Sequence, residues 1–257
     1  MADRAFSTLA AKINPSVPGC PTATMVQYIR DSAIRTCERT LAWRYEVPLF
    51  DLLPGVHEYA YDKPVNTDAH AVFAAIVNGS HLEKLTLDDA LRLYPQWADL
   101  YSGEDPSVLW SLTPPGSYNN YEYNEALFND GEPFVLPDSV VADASTPRSI
   151  CQITPDKFVV LPLPDNNEPY TMRMFLALKP KRDASGMNSV IFDDLEEVIM
   201  HGALQHLLVL PNQYWSDREL AAYHAKQYTY QIAERRARAN LGNVRGTYRA
   251  KMQPFGA

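Results

Sequence analysis

Four residues on one stretch of the chain, Glu196, Glu197, His201 and His206, have side chains of the types that bind metal ions. A carboxylate-bridged metal site in a helical bundle uses Glu-x-x-His, whose two ligands lie three residues apart on one helical face. Here Glu197 and His201 are four residues apart, and His206 lies about 140° around a helix from His201. No second motif of this kind occurs in the sequence. We therefore predict no metal site, and we interpret these residues as a polar helix face with an interface histidine.

Two pairs of carboxylates, Asp88-Asp89 and Asp193-Asp194, have the residue types of a general acid and a general base. Both pairs fall where we expect helices to begin, and the helix dipole favours acids there whether or not they react. The sequence has no G-x-S-x-G, P-loop, H-E-x-x-H or G-x-G-x-x-G motif. We therefore expect no catalytic residue, no cofactor and no enzymatic activity.

The charge of the chain is acidic but uneven. The net charge is -8 over 257 residues, which argues against a general phosphate binder and against sequence-specific binding of nucleic acid. No acid follows Glu234, whereas six basic residues do. Two interpretations of this tail stay open: a solvated end, or an arm that becomes ordered on a partner.

The three cysteines, Cys20, Cys37 and Cys151, lack the spacing of a metal or redox motif. We expect Cys37 in the core and a reduced, cytosolic product. The N-terminus has no long apolar run, and no run of about 18 apolar residues occurs, so neither a signal peptide nor a membrane span is predicted. The fifteen tyrosines are better suited to a protein interface than to a nucleic-acid surface, because tyrosine buries a large area at low entropy cost.

Helical periodicity marks both ends of the chain. Residues 21–42 predict one helix, which Thr22 or Thr24 can cap. Residues 193–238 predict a helical hairpin interrupted at Pro211, with the capping box Ser216-Asp-Arg-Glu219 at the start of its second helix. The apolar stripes expected to face inward are Val26, Ile29, Ala33, Cys37 and Leu41; Leu195, Val198, Ile199, Ala203, Leu207 and Leu210; and, in part, Leu220, Tyr223, Gln227, Tyr228 and Ile232.

Alternation typical of strands fills the middle of the chain. Asn78-Gly79 predicts a tight hairpin between strands at 71–77 and 81–85, and Thr86 caps a short helix that follows. Within residues 98–149, which carry little periodic signal, the stretch 117–134 is polar and rich in tyrosine, which predicts an exposed insertion loop. Further strands are expected at 56–61, 149–153, 157–163 and 170–178, the last of them central in its sheet.

These elements predict an α+β fold. The N-terminal helix and the C-terminal helical hairpin form a helical bundle, and a β-rich subdomain is inserted between them. The expected boundaries are 1–55 for the N-terminal arm and helix, 56–188 for the inserted subdomain, and 189–257 for the hairpin and basic tail.

Two regions of the chain, 22–61 and about 170–240, each carry an ordered series of short motifs. The first has a striped helix with Cys37-Glu38-Arg39, then Trp43-Arg44, then Pro54-Gly55-Val56 before a tyrosine-ended strand. The second has a strand ending at Ala177-Leu178-Lys179-Pro180, an acidic run at Asp193-Asp194-Leu195, and Gly202-Ala203-Leu204 in mid-helix. Pro211, Trp215, Ser216-Asp217 and Leu220-Ala221 then precede a helix that ends in arginines. In the order and spacing of these motifs, the two regions resemble phage head-to-tail adaptor proteins, including the tail tubular A proteins of short-tailed phages.

The resemblance implies a structural protein of the virion neck or tail, made in the cytoplasm of the bacterial host. It implies a homo-oligomeric, dodecameric ring between the portal protein and a tail tube, nozzle or tail-terminator protein, with DNA able to pass through it. No membrane contact is implied. By analogy, the residues that dock on the portal are Arg235, Arg236, Arg238, Arg245, Tyr248, Arg249, Lys251 and Phe255. The residues at the subunit or tail interface are Tyr118, Tyr121, Tyr123, Trp215 and Tyr228.

Two other classes of function stay open from the sequence. A receptor- or carbohydrate-binding tail module would use the tyrosine-rich loop at 117–128. A tail-associated hydrolase would depend on a carboxylate. An isolated binding module should retain affinity for its ligand, whereas a connector should form a ring on its partner.

Overall fold

The computed structural model describes residues 3–54, 56, 58–94 and 145–241. The chain divides into two compact units. We call residues 3–43, 65–67 and 177–241 the helical unit, and the described parts of 44–64 and 68–176 the sheet unit.

The described residues form helices and strands in the following order. The helices are α1 (Ser7–Ile13), a 3-10 turn (Asn14–Ser16), α2 (Thr22–Thr40), α3 (Leu87–Leu93), α4 (Ser189–Leu207) and α5 (Arg218–Leu241). The strands are β1 (Asp3–Ala5), β2 (Arg44–Leu52), β3 (Tyr59–Ala60), β4 (Thr67–Val77), β5 (Ser80–His81), β6 (Glu83–Leu85), β7 (Ser149–Gln152), β8 (Lys157–Leu161), β9 (Tyr170–Pro180) and β10 (Gly186–Asn188).

The helical unit is built from α1, α2, α4 and α5. The predicted stripe of α2 is buried at Ile29, Ala33 and Cys37, because residues three and four apart share one helical face. The α4 stripe is buried from Leu195 to Leu207 as predicted. Helix α1, which the periodicity did not indicate, packs beside them, and the Phe6 and Phe192 rings lie 6.2 Å apart.

The sheet unit contains two four-stranded sheets, ordered β2-β9-β4-β5 and β3-β8-β7-β6. The prediction that 170–178 forms a central strand is confirmed, since β9 lies between β2 and β4. Its Met172, Met174 and Leu176 are fully buried, whereas Arg173 on the opposite face donates to Glu46 at 2.6 Å. In the second sheet Phe158 stacks on Tyr61, with ring centroids 4.9 Å apart.

The Asn78-Gly79 hairpin is also confirmed. Ile76 pairs with His81 and Val77 with Ser80, and both turn residues have positive φ, 46° for Asn78 and 83° for Gly79. Two such residues produce the backbone twist that a two-residue hairpin needs. The predicted partner strand at 81–85 is nevertheless wrong in extent, because the chain leaves β5 and continues as β6, which pairs in parallel with β7 of the other sheet.

The predicted fold class, a helical bundle with an inserted β-rich subdomain, is wrong. The described residues are 42% helical and 28% strand, and they form three sheets. Strands are not confined to an insertion: β1 precedes the first helix and pairs antiparallel with β10, and both belong to the helical unit. The reason is that three-residue strands such as Asp3–Ala5 are too short for alternation to indicate them. The predicted boundaries at 55 and 188 stay predictions.

One predicted helix start is wrong, one predicted side-chain cap is absent, and another cap is displaced by one residue. Helix α2 follows Pro21 without a side-chain cap, so Thr22 and Thr24 lie inside it. Helix α4 begins at Ser189 behind the cap Asn188, which places Asp193 and Asp194 in its second turn. The start of α5 is capped by Asp217, whose carboxylate accepts from the Leu220 N–H at 2.9 Å, while Ser216 donates to Leu208 O. The Thr86 cap of α3 is confirmed, with the Asp89 N–H at 3.1 Å.

Candidate interaction surface on the C-terminal helix pair

Helices α4 and α5 form an antiparallel pair with a well-defined inner seam. The α5 residues on this seam are buried at a spacing of three and four, which is one helical face: Ala221, His224, Tyr228 and Ile232. At the far end of the pair, Arg235 of α5 donates to Asp194 of α4 at 2.5 Å. The predicted seam was partly wrong, because Leu220 and Tyr223 are 37% and 53% exposed.

The closest approach of helices in this unit occurs at Gly202 of α4. A Cβ built there would lie 2.2 Å from Ser32 Oγ of α2 and 2.7 Å from Cε2 of Tyr228 in α5. Ser32 donates to Ile199 O at 2.8 Å, which ties α2 to α4 at the same level. The missing side chain of Gly202 therefore allows three helices to meet.

Two histidines occupy the inner seam beside this contact. The Nδ1 atoms of His201 and His224 lie 2.7 Å apart, so one ring nitrogen donates and the other accepts. Burial lowers the pKa of His201, partly offset by the charge of Glu197, whose Oε1 is 3.9 Å from His201 Nε2. Burial, and then the charge of His201, lower the pKa of His224. The pair therefore favours a neutral state, in which this hydrogen bond can form.

The outer surface of α5 carries an exposed aromatic strip beside the seam. Its large side chains are Leu220, Tyr223 and Tyr230, exposed by 37%, 53% and 68%, with Gln227 between the two tyrosines. At 100° per residue these four positions fall within about 80° of one another around the helix. We call them the α5 ridge. An apolar and aromatic strip of this kind on a folded unit is typical of a surface that contacts another protein.

The turn between α4 and α5 adds two aromatic residues. Tyr214 is 75% exposed, and its hydroxyl occupies the space where a side chain of Gly19 would lie. Trp215 packs edge-on against Tyr214 at 5.1 Å between ring centroids. Its Nε1 is buried without a hydrogen-bond partner among the described residues. Trp215 was predicted at the subunit or tail interface, and that role stays a prediction.

The other candidate interface and docking residues fall into two groups. Among those described, Tyr228 is 3% exposed and packs in the seam, Arg235 pairs with Asp194, Arg238 pairs with Glu234 at 3.4 Å, and Arg236 is exposed. The remaining candidates lie outside the described residues: Tyr118, Tyr121, Tyr123, Arg245, Tyr248, Arg249, Lys251 and Phe255. Their interface roles stay predictions. The sequence reasoning missed Tyr214 and Tyr230, although Tyr230 continues the three-and-four spacing of Leu220, Tyr223 and Gln227.

The residue types that first suggested metal binding are separated in the structure. Glu196 forms ion pairs with Lys12 and Arg4, and His206 Nε2 accepts a hydrogen bond from Arg35 at 2.6 Å. Across the described part of the chain, no group of three or more His, Cys, Asp or Glu residues is placed to hold a metal ion.

The cysteines are packed and poorly nucleophilic. Cys37 is buried in α2 as predicted, and burial raises its pKa to about 12, with the neighbouring Glu38 charge acting in the same direction. Burial raises the pKa of Cys151 to about 11. Both thiols therefore stay protonated at neutral pH, and the thiolate is the reactive form.

The fold and the α5 ridge define a two-unit protein of helices and three sheets, with an exposed aromatic surface suited to contact with other proteins. The family described as SU10 adaptor protein matches residues 4–250, nearly the whole chain, and the chain belongs to that family. No curated protein matches it. The predicted resemblance to phage head-to-tail adaptor proteins is thereby confirmed.

Membership makes the chain a phage adaptor protein, which is a virion component that works with other phage head and tail proteins. None of the helices in the described ranges is long and apolar enough to cross a membrane.

Proposed function

We propose that this adaptor protein is a structural, non-catalytic component of the virion neck. Twelve copies form a ring between the portal protein and the tail tube, nozzle or tail-terminator protein, and DNA passes through the ring. The twelve-fold number and the two partners come from the resemblance to head-to-tail adaptors. The α5 ridge supports the assembly role, because Tyr223 and Tyr230 remain largely exposed on a helix whose other face is packed.

The basic end of the chain is the proposed docking arm for the portal. At the base of this arm Arg235 pairs with Asp194 of α4, and Arg238 pairs with Glu234 one turn earlier on α5 itself. The exposed Arg236 and the positive residues beyond Leu241 remain for the portal, together with Tyr248 and Phe255. A basic arm of this kind suits an acidic partner surface, and charge pairs across such a contact favour rapid and specific association.

The test is cryo-electron microscopy of the native particle, averaged around the neck with symmetry imposed only at the end. A ring of this chain beneath the portal would support the proposal. Density at a fibre or at the tail tip would contradict it, and would favour a receptor- or carbohydrate-binding module.

The docking arm has its own test. Deletion of residues 242–257 retains every described helix and strand, so the melting temperature should not change, while occupancy of the neck should fall. A variant with Arg92→Glu, which reverses one exposed charge in α3, serves as the control and should assemble normally. Unimpaired assembly of the deletion variant would refute the arm but not the ring.

A further inference from the structure

A charged cleft lies on the outer face of α2. Six α2 residues between Gln27 and Glu38, together with Arg182 from the loop after β9, line an open cleft of about 490 Å³. At 100° per residue, the cleft-lining side of α2 is roughly opposite the face that carries Ile29, Ala33 and Cys37. The cleft is therefore formed by the side of α2 turned away from its buried stripe, and Arg35 at the edge of the cleft reaches His206 of α4.

The cleft has an excess of positive charge within an acidic protein. Arg30, Arg35 and Arg182 line it with Asp31 and Glu38, and Lys179 donates to Glu38 at 2.7 Å. The cleft and its edge thus carry four positively charged side chains and two carboxylates. Arg35 is held by His206, whereas Arg30 and Arg182 pair with no carboxylate in the described part of the chain. Ile34 adds an apolar patch between these charges.

The α5 ridge has the complementary chemistry. It presents two exposed tyrosine rings, and guanidinium groups stack on aromatic rings. Two exposed acids, Glu219 and Glu234, lie on the same side of α5, near the two ends of the ridge. Within the chain Glu234 also pairs with Arg238 at 3.4 Å, one turn further along α5. The lengths also agree: Leu220 to Tyr230 spans about 15 Å along a helix, and Gln27 to Glu38 spans about 16 Å.

We propose that the α5 ridge of one copy binds in the α2 cleft of the next copy. Tyr223 and Tyr230 stack on the cleft arginines, while Glu219 and Glu234 pair with Arg30 and Arg182. The contact is heterologous, because ridge and cleft are different surfaces of one chain, and repeated heterologous contacts close into a ring when the rotation between copies allows it. This inference rests on the proposed ring and identifies the surfaces that join its subunits.

The test uses the full chain with either surface altered. The cleft variant combines Arg30→Glu and Arg182→Glu, and the ridge variant combines Glu219→Arg and Glu234→Arg. Each is measured by analytical ultracentrifugation in solution, and by neck occupancy on heads that lack the adaptor. Each variant alone should associate at least about tenfold more weakly than the wild type, because the new contact brings like charges together. Arg92→Glu is the matched single-charge control, and circular dichroism confirms that each variant is folded.

Two further experiments, one with all four substitutions in a single chain and one with a mixture of two variants, make the test specific. Combining all four substitutions in one chain restores opposite charges across the contact and should recover assembly. Mixing the cleft variant with Tyr223→Ala/Tyr230→Ala should yield dimers and no rings, because only one intact ridge can meet one intact cleft. If the wild type forms rings and the cleft and ridge variants form them equally well, this contact is refuted while the proposed ring stands. If the wild type forms no ring in either setting, the proposed function itself fails.

Discussion

Replacement of Gly202 by alanine tests whether α2, α4 and α5 meet as closely as the structure indicates. In an exposed helix this change should stabilise the protein by about 1 kcal/mol, since alanine has the higher helix propensity. At Gly202 the added Cβ would lie 2.2 Å from Ser32 Oγ and 2.7 Å from Tyr228 Cε2. Both distances are shorter than any normal contact, so neighbouring side chains or helices must move.

The sign of the change follows from the competing magnitudes. Overpacking a close contact costs about 1–3 kcal/mol. Displacing Ser32 Oγ also weakens its hydrogen bond to Ile199 O, which contributes about 1 kcal/mol. These two costs together exceed the gain in propensity. We expect Gly202→Ala to lower the free energy of unfolding of the helical unit by about 1–3 kcal/mol, and its melting temperature by roughly 2–10 °C.

The assay is peptide-resolved hydrogen exchange, because a chain of two units need not unfold in one step. Exchange should accelerate in α2, α4 and α5 and stay unchanged in β7 and β8. Ala222→Gly, at an exposed α5 position, measures the propensity term alone and should cost about 1 kcal/mol. Adding Ser32→Ala to Gly202→Ala should recover part of the loss, because it removes the nearest atom. Stabilisation by Gly202→Ala, or the absence of coupling to Ser32→Ala, would refute the close three-helix contact.

Three further predictions concern the two units separately. The pKa values of His201 and His224 are lowered in the folded protein, so below about pH 6.5 the unfolded chain binds more protons than the folded one. The stability of the helical unit should therefore fall as the pH falls below that value. His224→Gln should reduce the difference between the urea midpoints measured at pH 7.5 and at pH 5.5. In the sheet unit, Lys63→Met should lower the free energy of unfolding by about 1–2 kcal/mol, because the Lys63 side chain is 11% exposed and pairs with two aspartates. Denaturant titration measures this change, and unchanged stability would show that these pairs contribute little. Gly79→Ala should cost about 1 kcal/mol from its positive φ alone, because among the described residues nothing beyond its own chain neighbours lies within 4 Å of the new Cβ. Hydrogen exchange should accelerate only near the hairpin.

The parts of the fold that the sequence predicts well are those with long, unmixed periodicity. Strand β9 alternates from Tyr170 to Leu176 and is buried on the predicted face, and Ala177 on the other face is buried as well. Helix α2 repeats its apolar positions over five turns, and its boundaries agree within two residues of the prediction. The Asn78-Gly79 turn is predicted by local chemistry, because few other residue pairs tolerate two positive φ angles. In each case one local cause determines the outcome.

The predictions fail where pairing at a distance decides the structure. Asp3–Ala5 is a strand because Gly186–Asn188 lies beside it, and neither segment carries a signal of its own. Gly186 permits this pairing, since a Cβ there would lie 2.3 Å from Arg4 O. Residues 80–85 likewise divide between two sheets, although the segment reads as one strand. The fold class was wrong for the same reason, because these strands place sheet structure in the unit that the periodicity assigned to helices alone.

Helix α5 carries two stripes of large side chains, and the sequence does not say which of them faces α4. Leu220, Tyr223 and Tyr230 form one stripe, and Tyr228 and Ile232 belong to the other. The small residues determine which stripe of α5 faces α4, because close packing of two helices requires small residues at the contact. Ala221 of α5 lies on the same face as Tyr228, and Gly202 of α4 leaves room for the Tyr228 ring. The stripe without small residues stays outside. There the Tyr223 ring packs edge-on against His201 and His224 at 6.4 and 5.3 Å between ring centroids, and the exposed parts of Tyr223 and Tyr230 remain available to another chain.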